Sequence, residues 1–132
     1  MATNPVLVDS SYYIRLLRQG QDPLKTLALT AATRDLAVCG PIRTEVGRAL
    51  RQGSVRDRFH RFWDVMLQVP TDNAIWAETE QTLWALDRQG IVLPLTDALI
   101  ACCARRIDAT VLAFDTHFQQ IPGLKVTASL EQ

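Results

Sequence analysis

Short apolar runs, too brief for helices and without the polar alternation of a half-exposed sheet, recur along this chain between longer stretches of helical periodicity. Val6–Val8, Leu36–Cys39 and Ala109–Phe114 are the clearest, with Leu67–Pro70 and Lys125–Thr127 as weaker candidates. Strands covered on both faces read in this way, because neither set of alternating side chains meets water. Strands that alternate with helices imply parallel pairing and crossover connections. The expected fold is therefore α/β, a three-layer α/β/α sandwich with a mostly parallel central sheet of about four to five strands.

The intervening helices have recognisable ends. Ser11 to Arg18 stops at Gly20, a glycine suited to the left-handed turn after a helix, and a serine after Asp9 is in position to cap its start. Asp22-Pro23 opens a second helix to about Thr33, and Pro41 opens a third with Ile42, Val46, Ala49 and Leu50 at helical spacing. Ser54 to Leu67 carries Val55, Phe59, Phe62, Trp63 and Met66 on one side. Asn73 to Gln89 is apolar on two faces, the second bearing Trp76 and Trp84, so that face enters either the core or a partner. A helix starting at Asp97 is expected after Pro94, with Thr96 as its cap, and a short helical turn follows over Thr116 to Gln120.

At 132 residues the chain is expected to form a single domain, residues 1–132, large enough to bury a core. No apolar run approaches membrane-spanning length, and the N-terminus lacks the pattern of a secretory signal. Cys39, Cys102 and Cys103 lack metal-ligand spacing and read as buried apolar residues of a reducing compartment, so a cytoplasmic protein is expected. The net charge is zero, which gives no global signature of a nucleic-acid binder. All but two of the 14 basic residues are arginines, however, and arginine suits local phosphate contacts. Arg15, Arg18, Arg43 and Arg48 flank two acids in the sequence and are the candidates for such a patch.

Four carboxylates stand out by position. Asp9 and Asp115 end strand-like runs, Asp97 lies in the first turn of a helix, and Glu45 sits on or beside an apolar helical stripe. Singly, each has an ordinary structural role: a cap, a first-turn charge on the helix dipole, or a side chain reaching out to water. Together they recur wherever a strand runs out, with His117 the only histidine or lysine beside them. At an effective dielectric of about 20, two unit charges ~4 Å apart repel by roughly 4 kcal/mol, so a shared cleft calls for a counterion. Oxygen ligands with open positions suit Mg²⁺ or Mn²⁺, and such an ion supports hydrolysis of a phosphodiester. Ser10 and Ser11 lack a His–Asp relay, and no glycine-rich phosphate loop is present.

The order of these motifs resembles a family. Val-Leu-Val-Asp9-Ser-Ser, Ile42-Arg-Thr-Glu45-Val, Leu95-Thr-Asp97-Ala-Leu-Ile-Ala and Phe114-Asp115-Thr-His-Phe118, followed by Ile121-Pro-Gly-Leu, are similar to the motifs of PIN-domain ribonucleases. The likeness is specifically to VapC-type toxins of type II toxin–antitoxin pairs. The resemblance implies an endoribonuclease dependent on Mg²⁺ or Mn²⁺, with catalytic acids Asp9, Glu45, Asp97 and Asp115. Of these, Asp9, Asp97 and Asp115 would hold metal, with Ser10 or Thr116 assisting. It also implies an RNA substrate, a homodimer and a cognate antitoxin. That partner is expected to cover the acids with a cation and to use apolar helix surface around Trp63 or Trp76. One departure is Ala113, where many relatives carry Thr or Ser two positions before the last acid. The alternatives are a PIN-like assembly module without catalysis and a receiver-like signalling domain. The latter would want adjacent acids after the first strand and a lysine near the last.

Overall fold

Five strands, all parallel, lie in the order β3-β2-β1-β4-β5. They are β1 (Val6–Val8), β2 (Leu36–Cys39), β3 (Leu67–Val69), β4 (Thr110–Leu112) and β5 (Lys125–Thr127). The computed structural model describes residues 4–130; residues 1–3 and 131–132 of the expected domain lie outside them. The helices are α1 (Ser10–Arg18), α2 (Pro23–Ala31), α3 (Gly40–Ala49), α4 (Gly53–Asp64), α5 (Asn73–Arg88) and α6 (Leu95–Arg106), with a 3-10 turn at Thr116–Gln120. With the usual right-handed crossovers this strand order assigns α1 to α4 to one face of the sheet and α5 and α6 to the other. α1 packs on α2 and α3, α5 packs on α6, and α3 also meets α6. The layered sandwich expected from the apolar runs is the fold observed.

Several boundaries move for identifiable reasons. Asp9 itself, not a serine, caps α1. α6 begins at Leu95, with Pro94 in the cap position and no side-chain cap, so Thr96 lies inside the first turn. Proline restricts the residue before it and leaves the one after it free to enter a helix. α4 stops at Asp64 instead of Leu67, because Leu67 is drawn into register opposite Ala37 of β2. Gln68 Nε2 closes that helix end by donating to the carbonyls of Trp63 and Met66. β4 is shorter than its apolar run: Phe114 turns its N–H to Ser11 Oγ, at 3.0 Å.

Beneath α1 and α4, Tyr13, Phe59 and Trp63 form a wholly buried aromatic group with ring centroids 5.6 to 6.2 Å apart. Trp63 therefore belongs to the core and offers no surface to a partner, which corrects that part of the sequence expectation. Trp76 and Trp84, in contrast, are 44% and 55% exposed, so the second face of α5 is not core. All three cysteines are buried and free. No helix among the described residues is long and apolar enough to cross a membrane.

Inside the aromatic group Trp63 Nε1 donates to Tyr13 Oη at 3.2 Å. Tyr13→Phe keeps the packing but leaves the indole N–H buried without an acceptor, a loss of about 1–3 kcal/mol. Urea unfolding should show that loss, and Trp63→Phe added to Tyr13→Phe should cost less than the sum of the two single changes.

Candidate active site

The strand order reverses at β1, whose successor β2 lies on one side while β4 returns to the other. Crevices beyond the carboxyl ends of strands at such a point are where open α/β sheets hold their ligands. Here the two strand ends are tied together, the Asp9 N–H donating to the Leu112 carbonyl at 2.9 Å. Asp9 is 2% exposed. Its Oδ2 caps α1 by accepting from the Ser11 N–H at 3.0 Å, while its Oδ1 is buried without any partner. Capping and site formation thus use different oxygens of one carboxylate.

The other acids come from three further elements. Ser10 Oγ donates to Glu45 Oε1 at 2.8 Å, so the α3 carboxylate turns toward the start of α1 and not out to water. Asp115, three residues past β4, caps the 3-10 turn by accepting from the His117 N–H at 2.9 Å. That turn brings His117 Nδ1 to 3.0 Å from Asp115 Oδ1 and 2.7 Å from Oδ2 of Asp97 in the first turn of α6. Ligand atoms of Asp97, Asp115 and His117 all lie within 4.8 Å of one another. His117 was noted beside the acids in the sequence but not counted among the site residues. The two-residue step from Asp115 to His117 across a capped turn is the signal for it.

Charge binds the four acids into one system. Burial first, then the charges of Asp115 and Asp9, push the Asp97 carboxyl up to about 6, against the bond from His117. Burial, aided by the charge of Glu45, raises Asp9, although the Ser11 hydrogen bonds oppose it. The bond to Asp97, with the nearby Asp115 charge, raises His117. The buried, unpartnered Asp9 Oδ1, whose charge Asp97 feels, and the carboxylate oxygens of Asp97 and Asp115 fit a divalent cation, which would relieve both the repulsion and the orphaned oxygen.

Ser10, 7% exposed, joins the site through Glu45, whereas Thr116 is exposed and its hydroxyl bonds none of the acids. The four candidate arginines fall into two groups. Arg15 and Arg18 line a groove that also includes Asp115. Arg43 and Arg48 line another with Arg56 and His60, where Arg43 also pairs with Asp64 at 3.0 Å.

An all-parallel α/β/α sandwich with acids gathered beyond its central strand is the class of domain these features define. The chain belongs to the PIN domain family, whose model matches residues 6–124. Its fold is similar to that of VapBC2 from Rickettsia felis bound to a promoter DNA fragment, with TM-score 0.74 and 16% identity over 93% of this chain and 97% of that one. DNA-bound VapBC from Salmonella typhimurium is equally similar, with TM-score 0.74 and 16% identity over 95% and 98% of the two chains. VapC20 of Mycobacterium tuberculosis, a sarcin–ricin loop cleaving toxin, has TM-score 0.64 and 16% identity over 86% and 92%. No curated protein matches the chain in sequence. The receiver-like alternative does not fit, since that fold orders its strands 2-1-3-4-5.

The raised groups set a direction for stability against pH. Asp97 rises from an ordinary 3.8 to about 6 and His117 rises above its ordinary 6.5, so the folded state holds both protons more tightly than the unfolded chain. Their stabilisation is complete below the unfolded values and is lost as pH climbs through the folded ones. Asp22 and Asp72 are lowered, so their contribution is lost only on the acid side of 3.8. In chelator the wild type should lose stability as pH climbs from 3.8 through about 6 on account of Asp97, and further above 6.5 on account of His117, and Asp97→Asn should flatten that loss. Thermal melts across this range read the difference.

Proposed function

We propose that the chain is a metal-dependent endoribonuclease of the VapC toxin type, restrained by a cognate antitoxin. The observation that carries this reading is the buried Asp9 carboxylate oxygen with no partner, at the end of the central strand, together with the Asp97, Asp115 and His117 atoms that lie within 4.8 Å of one another. The likeness in fold to VapBC proteins and to a toxin that cleaves the sarcin–ricin loop supports the choice of RNA and of an antitoxin.

In this reading Asp9, Asp97 and Asp115 would hold Mg²⁺ or Mn²⁺, and His117 Nδ1 stays a hydrogen-bond partner of Asp97 and Asp115 beside them. Such an ion supplies water activation and neutralisation of phosphate charge when bound. Glu45, outside the metal set and fixed by Ser10 Oγ, takes the proton of the attacking water. Asp115 orients His117 by accepting its backbone N–H, and His117 in turn fixes Asp97. Arginines flanking the acids hold the RNA phosphates, which makes binding salt-dependent despite the neutral chain.

The antitoxin is proposed to insert a cation among the acids, replacing the metal electrostatically. Trp76 and Trp84 are the exposed aromatic surface left for a protein contact once Trp63 is assigned to the core. A homodimer is expected as well, and light scattering at micromolar concentration reads it.

The test is cleavage of total RNA by the purified chain in Mg²⁺ or Mn²⁺. Asp9→Asn, Glu45→Gln and Asp97→Asn should each lower the rate by about a hundredfold or more, as removal of electrostatic or proton-transfer groups does. Full activity in excess chelator would overturn the reading.

A further inference from the structure

Beside the acid cluster an open groove of about 460 Å³ runs between the start of α1 and the chain after β4. Asp115 belongs to its lining and to the acid cluster alike, so the groove leads directly to the site. Two of its lining residues, Arg15 and Phe114, stack on one another, and Tyr12, outside the lining, stacks on Phe114. Tyr12 and Phe114 lie 5.1 Å apart and only 14° from parallel, and Arg15 Cζ stands 4.1 Å over the Phe114 ring. Arg18 lines the same groove. Among the described residues neither Arg15 nor Arg18 has a carboxylate partner, although Arg43, Arg58, Arg105 and Arg106 each have one.

This stack is fixed through Ser11, which lines the same groove. Ser11 Oγ accepts the Phe114 N–H at 3.0 Å, and the Ser11 N–H donates to Asp9, so the platform and the central acid share one support. Phe114 is half-buried and holds Arg15 over its face, while Arg15 itself remains exposed. Unpaired bases of RNA bind in this way, stacked on aromatic rings or guanidinium planes while nearby cations follow the backbone. An aliphatic groove for a protein helix would want neither the stacked guanidinium nor two unpaired cations.

We infer that the Arg15–Phe114 pair, with Tyr12 stacked on Phe114 as its support, is a subsite for one unpaired nucleobase flanking the scissile phosphate, with Arg18 on the adjoining phosphate. The inference rests on the ribonuclease reading and deepens it: the enzyme selects single-stranded RNA by stacking a base beside the acids. Phe114 and Arg15 are then residues of substrate specificity, distinct from the carboxylates that act on the bond.

Two measurements on the full chain test it. In the first, short single-stranded oligoribonucleotides carry 2-aminopurine at successive positions and are titrated in chelator, where no cleavage is needed. The wild type should quench the probe at one position. Arg15→Gln, an exposed change safe for folding, and Phe114→Leu should weaken binding by about tenfold and abolish the quench, whereas Phe114→Trp keeps it.

In the second, an abasic nucleotide is moved along a cleavable oligoribonucleotide in Mg²⁺ or Mn²⁺. One position should lower the wild-type kcat/KM by about tenfold, with little further loss in Arg15→Gln or Phe114→Leu. No position-dependent quench in the first experiment, or an abasic penalty that survives in both variants, overturns the subsite. A quench lost in the variants but without cleavage of any RNA leaves the subsite standing as a binding site and overturns the nuclease reading instead.

Discussion

The central strand β1 is the constraint on which everything else depends. Val6, Leu7 and Val8 are fully buried and bonded in register to β2 on one side and β4 on the other. A three-residue strand so enclosed has no freedom to slip, because a shift of one residue would reverse every side chain between the faces. The residue that follows it is therefore held at a fixed depth, and that residue is Asp9. Burial of its carboxylate is a consequence of the strand, and the unpartnered oxygen is what the strand leaves for chemistry.

Much of this is legible in the sequence because both periodicity and position act locally. Apolar runs of β-forming residues mark β1, β2 and β4, and the acids after β1 and β4 are visible as the points where those runs stop. Less visible is which aspartates are only caps. Asp22 and Asp72 also precede helices and accept from their first-turn N–H groups, as Asp9 and Asp115 do. Both are met by a two-pronged guanidinium, Arg58 on Asp22 and Arg106 on Asp72, which draws them below the usual carboxylate range. Asp9 has no such partner and is pushed the other way. The distinction lies in arginines more than thirty residues distant in sequence, and no local pattern carries it.

Two further features were hidden for the same reason. Trp63 and Trp76 both sit on apolar helical stripes, yet one is sealed under Tyr13 and Phe59 while the other remains 44% exposed. Which stripe faces the sheet is a matter of crossover handedness and packing, and both are tertiary. His117 escapes a reading by residue type because its place between two carboxylates depends on the tight turn that Asp115 caps. The sheet edge is legible more faintly: Leu67–Pro70 is a weaker strand candidate, and the polar Gln68 sits in β3 because β2 supplies bonding partners there.

The tandem Ser10-Ser11 joins these parts. Ser10 reaches Glu45 on α3, while Ser11 holds both Asp9 after β1 and the backbone of Phe114 after β4. One helical turn thus ties together three segments, the farthest through a bond that spans 103 residues of chain. Groups tied in this way open together, as one cooperative unit, and not as independent fraying loops. Amide hydrogen exchange at Ser11 and Phe114 would then follow a single opening event, and loss of the first turn of α1 would dissolve the cleft as a whole.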